Sequence, residues 1–197
     1  VAILGETLFM STLDAHLVAL DARTGNLLWD VEVADYASGY SKTAAPLIVK
    51  DTVVTGIAGG EFGIRGFIDG YDPETGERKW RTYTIAGPGN PDVASWAGDS
   101  WETGGGASWI TGSYDAELNL IYWGTGNPGP DWNGDARLGD NLYSDSALAL
   151  NGDTGELEWY FQFTPHDVHD WNAIQVPILA NIEYEGEMRK VIMWANR

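Results

Sequence analysis

One pattern occurs three times in this chain and limits the folds open to it. Asp21-x-x-Thr24-Gly25-x-x-x-Trp29 returns as Asp72-x-x-Thr75-Gly76-x-x-x-Trp80 and, with Asn in the leading place, as Asn151-x-x-Thr154-Gly155-x-x-x-Trp159. Each copy lies between an apolar run and an alternating one. The Asp/Asn-to-Gly segment therefore reads as a hairpin turn, with the tryptophan at a fixed place on the outgoing strand. A single sheet of this kind cannot bury both of its faces, so neighbouring copies must stack, as in a β-propeller or another stacked-sheet array. The three tryptophans read as packing residues between sheets rather than as ligands.

Composition agrees with an all-β chain. Among 197 residues there are 25 Gly, 10 Trp and 9 Tyr, with few long apolar helical runs, which indicates many turns between short strands. The first segment predicts strands at Thr7–Ser11, Leu17–Asp21 and Leu27–Val33. The interval from Trp80 to Trp159 is longer by more than half than that from Trp29 to Trp80. Its extra length holds Ile85–Trp101, the glycine-rich stretch from Gly104 onward, and Pro128–Tyr143, all too polar or too rich in Gly and Pro to be further strands. Insertions in repeat folds collect on one face and carry function.

The formal net charge of −18 repels nucleic acid and anionic membranes and suits a cationic protein or a bound cation. No apolar run is long enough to span a bilayer. The absence of cysteine removes disulfides, thiolate catalysis and Cys-ligated zinc from these residues. The chain opens on Val1 without a leader-like region and stops directly after a strand-like run, which reads as a piece of a longer protein.

Three stretches carry candidate chemistry. Gly104-Gly105-Gly106-Ala107-Ser108-Trp109 and Gly124-Thr125-Gly126-Asn127-Pro128 bring backbone close to something, either a ligand or the chain's own core. Gly56 to Gly66 surrounds Glu61 with glycines, so Glu61 is either a hard oxygen ligand or a solvated loop carboxylate. No helix follows, which excludes a dinucleotide fingerprint. Thr164-Pro165-His166-Asp167-Val168-His169-Asp170-Trp171-Asn172 admits a zinc hydrolase reading or a general base beside Trp171. His166 is expected to be structural, hydrogen-bonded within its loop.

Together with Ala58-Gly59-Gly60-Glu61-Phe62-Gly63, Thr164-Pro165-His166-Asp167 and Trp194-Ala195-Asn196-Arg197, these segments stand in the order found in a known family. The chain resembles the methanol/ethanol-type alcohol dehydrogenases that use pyrroloquinoline quinone (PQQ), eight-bladed β-propellers whose blades carry the same tryptophan docking repeat. The resemblance runs through residues 1–197 as one partial propeller domain, roughly a third of a typical member. It implies that Glu61 and Asn127 supply metal-ligand oxygens, with Asp170 beside them, to calcium or, in one branch, to a lanthanide. It also implies that Trp109 lies against the quinone, that Thr43, Ala58, Gly59 and Gly60 hold its edge, that Asp170 is the base and that Arg197 hydrogen-bonds the reactive oxygens. Activity would be oxidation of a small primary alcohol, with electrons passed to a cytochrome c-type acceptor in the periplasm. Asn172 stands where an Asp marks the lanthanide branch, Ala58 and Ala107 replace hydroxyls of some members, and the paired cysteines of the family are not in these residues. The alternative is a non-catalytic propeller scaffold for protein binding, which would have no reason to keep Glu61, Asn127 and Asp170 together.

Overall fold

A computed structural model describes all of residues 1–197. Three four-stranded antiparallel meanders follow one another, and a hairpin begins a fourth sheet. The first sheet holds β1 (Ala2–Leu4), β2 (Thr7–Ser11), β3 (His16–Asp21) and β4 (Leu27–Glu32). The second holds β5 (Leu47–Val49), β6 (Thr52–Gly56), β7 (Phe67–Tyr71) and β8 (Arg78–Tyr83). The third holds β9 (Ser113–Asp115), β10 (Leu120–Gly124), β11 (Ser146–Asn151) and β12 (Leu157–Gln162). The hairpin pairs β13 (Ile178–Tyr184) with β14 (Glu187–Met193). The strands expected in the first sheet are present. The short β1 was not anticipated, because three residues are too few to show a period, and His16 belongs to a strand rather than to the preceding turn.

Each repeat closes the hairpin between the third and fourth strands of its sheet. Asp21 and Asp72 accept backbone N–H groups from the two residues that follow their neighbour's turn, Arg23 and Thr24 at 3.0 and 2.7 Å in one copy and Glu74 and Thr75 at 2.9 Å in the other. Asn151 does the same for Asp153 and Thr154, which is why Asn replaces Asp there without changing the turn. Gly25, Gly76 and Gly155 all have φ between 71° and 74°, a left-handed conformation that glycine alone adopts without penalty.

The tryptophans join the sheets. Trp29 packs on Gly76 of the next repeat and donates its indole N–H to Pro73 O at 3.0 Å. Trp80 lies between its cross-strand partner Gly70 and Gly155 of the third repeat. A Cβ at either glycine would overlap the indole. Trp159, the third of the set, is 41% exposed.

Two cores result. Phe9, Leu17, Ala19, Val53, Phe67 and Tyr71 fill the space between the first and second sheets, and Val54, Ile68, Ile121, Trp123, Leu148 and Leu150 that between the second and third. Val53 and Val54, like Phe67 and Ile68, are sequence neighbours that enter opposite cores, as the alternation of a strand requires. The second sheet is thus buried on both faces, and β6 and β7 are buried throughout. An ion pair crosses the first core: Arg81 grips the fully buried Asp69 with Nε and Nη2 at 2.7 and 2.6 Å, lies 3.6 Å over the Phe67 ring, and reaches Val33 O. Lys42 ends beside it, donating to Thr55 Oγ1 at 2.6 Å and Gly56 O at 3.0 Å, and burial pulls its pKa down to about 7.

Gly155→Ala should destabilise the intact protein more than Gly98→Ala. Both positions need a left-handed residue, which costs an alanine about 1 kcal/mol, but Gly98 faces open space and Gly155 faces the Trp80 ring, adding about 1–3 kcal/mol of overpacking. Thermal unfolding of the two variants checks the ranking.

Candidate functional site

The insertions meet at the inner ends of the sheets, and backbone pairing holds them there. Ser41 and Ala58 exchange hydrogen bonds at 3.2 and 2.8 Å, which sets Thr43 beside the Ala58–Gly60 turn. Ser108 N donates to Ile57 O at 2.8 Å, while Ser108 Oγ accepts from Ile57 N and donates to Phe67 O. Thr43 Oγ1 reaches Trp109 O at 3.5 Å. One face of the half-buried Trp109 packs on Gly126, where a Cβ would strike both the indole and Asn172 Oδ1.

Gly104 to Ala107 runs antiparallel to Gly126 to Gly129: Gly106 N donates to Asn127 O, Gly126 N to Ala107 O and Gly129 N to Gly104 O, at 2.8–3.0 Å. A Cβ at Gly104 or Gly106 would collide with Ile85, and one at Gly105 with the Gly129 backbone. These glycines let the chain approach itself. The same holds at Gly59, whose Cβ would overlap Gly39 O. Of the two readings open in the sequence, close approach within the protein accounts for them, and the ligand surface is left to the side chains that they bring together.

Asn172 connects those side chains. Its Oδ1 accepts the backbone N–H of Asn127 at 3.0 Å, and its Nδ2 donates to Asp170 Oδ1 at 2.6 Å. Asp170 and Asn172 both have positive φ, 59° and 55°, values that Asp and Asn tolerate better than other side chains. Asp170 is exposed and its Oδ2 carries no hydrogen bond. The loop around it hangs on the buried Asp167, whose two oxygens accept N–H from His169 and Trp171, each at 2.8 Å.

Asn127 is 9% exposed, and its Nδ2 donates to Asp131 Oδ1 at 2.7 Å. This leaves the amide oxygen accepting no hydrogen bond. Glu61 is exposed on an open cleft of about 550 Å³ that it shares with Pro130, Asp131, Trp132 and Asn133. Burial raises the Asp131 pKa, the hydrogen bond from Asn127 opposes that, and the nearby charges of Asp170 and Glu61 push it further up. Asp131 thus links the three candidates: it lines the cleft with Glu61, accepts from Asn127, and lies within the electrostatic reach of Asp170. The donors there are oxygens, the set that suits calcium or a lanthanide, and no three His, Asp or Glu side chains are drawn in tightly enough to form a ligand set by themselves.

Other candidates are placed differently. Arg197 is exposed, and its side chain makes no hydrogen bond or ion pair with the other site residues. Nδ1 of His166 bonds Gly139 O at 2.8 Å and its ring packs on Gly134, as a loop fastener does. His169 is stacked on Trp171 with ring centroids 4.8 Å apart, so the two histidines serve separate contacts.

Sequence reasoning missed three charged residues here. Arg137 is fully buried and donates Nε to Pro130 O, Nη2 to Asp131 O and Asp167 O, and Nη1 to Asn141 Oδ1. Asp131 orients Asn127, as described. Asp145 is 1% exposed, neither of its carboxylate oxygens has a hydrogen-bond partner, and its pKa is pushed up to about 8 by burial, with the charge of Asp167 adding to it. Its backbone joins Gly126 O to Phe163 N. Only the density of Asp between Asp131 and Asp145 hinted at them.

The family described as the β-propeller domain of PQQ glucose, ethanol and alcohol dehydrogenases matches residues 4–197. The quinoprotein alcohol dehydrogenase PedH of Pseudomonas putida is 46% identical over 213 residues, covering 100% of this chain and 36% of that protein. Methanol dehydrogenase [cytochrome c] subunit 1 of Paracoccus denitrificans is 36% identical over 96% of this chain and 33% of its own length. A solved europium-containing methanol dehydrogenase superposes with a TM-score of 0.94 at 38% identity, over 99% of this chain and 37% of that one. The chain thus spans about a third of the relatives that it matches.

Asp145 generates a pH prediction. Its folded pKa of about 8 lies above the ordinary value of 3.8, so across that window the folded chain keeps a proton that the unfolded chain has lost. Stability therefore falls as pH rises from about 4 to about 8, by up to about 1.4 kcal/mol per pH unit. In the intact protein, unfolded in the presence of a chelator, Asp145→Asn should flatten this fall, giving a higher Tm than wild type at pH 8 and a nearly equal one at pH 4.

Proposed function

The chain belongs to the β-propeller family of PQQ-dependent glucose, ethanol and alcohol dehydrogenases, and on that premise we propose that the whole protein oxidises primary alcohols to aldehydes. The observation that carries this reading is the Asn172 carboxamide, which ties the backbone of Asn127 to the carboxylate of Asp170 beside Trp109. A scaffold would have no use for a carboxylate held at one oxygen and free at the other beside an unbonded amide oxygen.

The proposed cofactors are pyrroloquinoline quinone and a calcium or lanthanide cation; when bound, they supply an electrophilic hydride acceptor and the charge that polarises it. Glu61 and Asn127 would hold the cation with their oxygens, with Asp170 beside them. Trp109 would offer its ring to the flat quinone, and Thr43 with the Ala58, Gly59 and Gly60 backbone would hold the edge of the cofactor. Asp170, fixed through Oδ1, would take the alcohol proton at Oδ2. Arg197, after β14, would add positive charge to the same space. Electrons would pass to a cytochrome c-type acceptor in the periplasm. The −18 net charge favours encounter with a cationic partner of that kind. No helix is long and apolar enough to cross a membrane.

Reconstitution of the intact protein with PQQ and either calcium or a lanthanide, followed by alcohol-dependent reduction of an artificial acceptor, tests the proposal. Activity is expected with one of the metals, and Asp170→Asn should lower kcat by about 10²–10⁴ with cofactor absorbance retained. A protein that binds neither cofactor nor metal would instead be a propeller scaffold.

A further inference from the structure

Asp131 stands out among the charged groups around the cleft. Its carboxylate is half-buried, yet its one hydrogen bond comes from Asn127 Nδ2, at 2.7 Å. The nearest cation, Arg137, is spent elsewhere: its bonds go to the carbonyls of Pro130, Asp131 and Asp167 and to the Asn141 amide oxygen, none to a carboxylate. Arg137 therefore fixes the backbone of Asp131 and acts on its carboxylate through the field alone, without a hydrogen bond to it. The Asn127 amide has two possible orientations that differ by exchange of O and N. An acceptor beside it selects the one in which Nδ2 points to Asp131 and Oδ1 points away from it, free of any hydrogen bond. Asp131 feels the charges of both Glu61 and Asp170, so the three carboxylates lie within electrostatic reach of one another.

We propose that Asp131 is a positioning and cation-selecting residue of the metal site, which holds Asn127 with its oxygen toward the cation and adds a negative charge that favours a trivalent over a divalent ion. The inference rests on the metal-site reading given above. Asp131 acts from outside the ligand set, through the Asn127 amide and through its field. A neighbouring carboxylate that orients a ligand and sharpens its donor character is a general feature of metal sites. A unit charge a few ångströms away attracts an ion in proportion to the ion's charge, so its loss weakens a trivalent ion more than a divalent one.

The test is cation binding by the intact, PQQ-loaded protein, read as terbium luminescence excited through tryptophan, with calcium as competitor. Asp131→Asn keeps the size of the side chain and an acceptor for Asn127 but removes the charge. The terbium-to-calcium affinity ratio should fall by about tenfold, whereas Asp131→Ala, which also frees the amide, should weaken both ions. Glu61→Gln is the control for the underlying reading. If Glu61→Gln weakens both ions and Asp131→Asn leaves the ratio unchanged, the role of Asp131 is overturned and the metal site stands. If Glu61→Gln changes nothing either, the metal-site reading falls and this inference with it.

Discussion

The second sheet is apolar on both faces, and the rest of the structure follows from that. Val53, Phe67 and Tyr71 cannot leave water unless the first sheet covers them, and Val54 and Ile68 cannot unless the third does. The burial of side chains of this size stabilises by about 1.5–3 kcal/mol each, so the driving force for stacking far exceeds what any single turn contributes. The tryptophans of the first two repeats set how the sheets stack. A rigid indole against a glycine with no Cβ admits one approach and one spacing, and Trp29 on Gly76 and Trp80 on Gly155 repeat it.

Stacked sheets bring their inner ends together, and there the insertions make the site. The glycines of Gly104–Gly106 and Gly126 allow backbones to come within hydrogen-bonding distance, so Asn127 is held by main-chain pairing and in turn anchors the Asn172 side chain. The buried Arg137 ties the loop of Asp131 to the loop of Asp167, which in turn fixes Trp171 and His169. Asp170 thus gains its position through three layers of contact. A carboxylate placed this way needs little reorganisation when a ligand arrives, which is what preorganised sites supply.

The same neighbourhood holds groups that work against stability. Asp145 is sealed without a partner, and Lys42 keeps an ammonium in the core with its pKa lowered to about 7. Asp69 illustrates the opposite case, since Arg81 and the Tyr71 hydroxyl satisfy it from both sides. Perturbed pKa values gather near functional sites more than elsewhere in folded proteins, and Asp145 is acted on by the Asn172 backbone and the charge of Asp170.

The strands, the hairpin turns and the packing role of Trp29 and Trp80 were legible in the sequence, because alternation, turn chemistry and a repeat are local signals that survive without knowledge of the fold. The motifs around Glu61, Asn127 and Asp170 marked those residues as candidates. The partner of Asn127 was not legible: Asp131 is four residues away across a turn, and nothing local says that its carboxylate folds back on the amide. Nor could spacing reveal that Asn172 bridges Asn127 and Asp170, or that Arg137 fastens two loops thirty positions apart, since those contacts exist only once three sheets have closed on one another. Local chemistry determined the elements and their candidate residues. The packing of both faces of the second sheet decided which of those residues share a site.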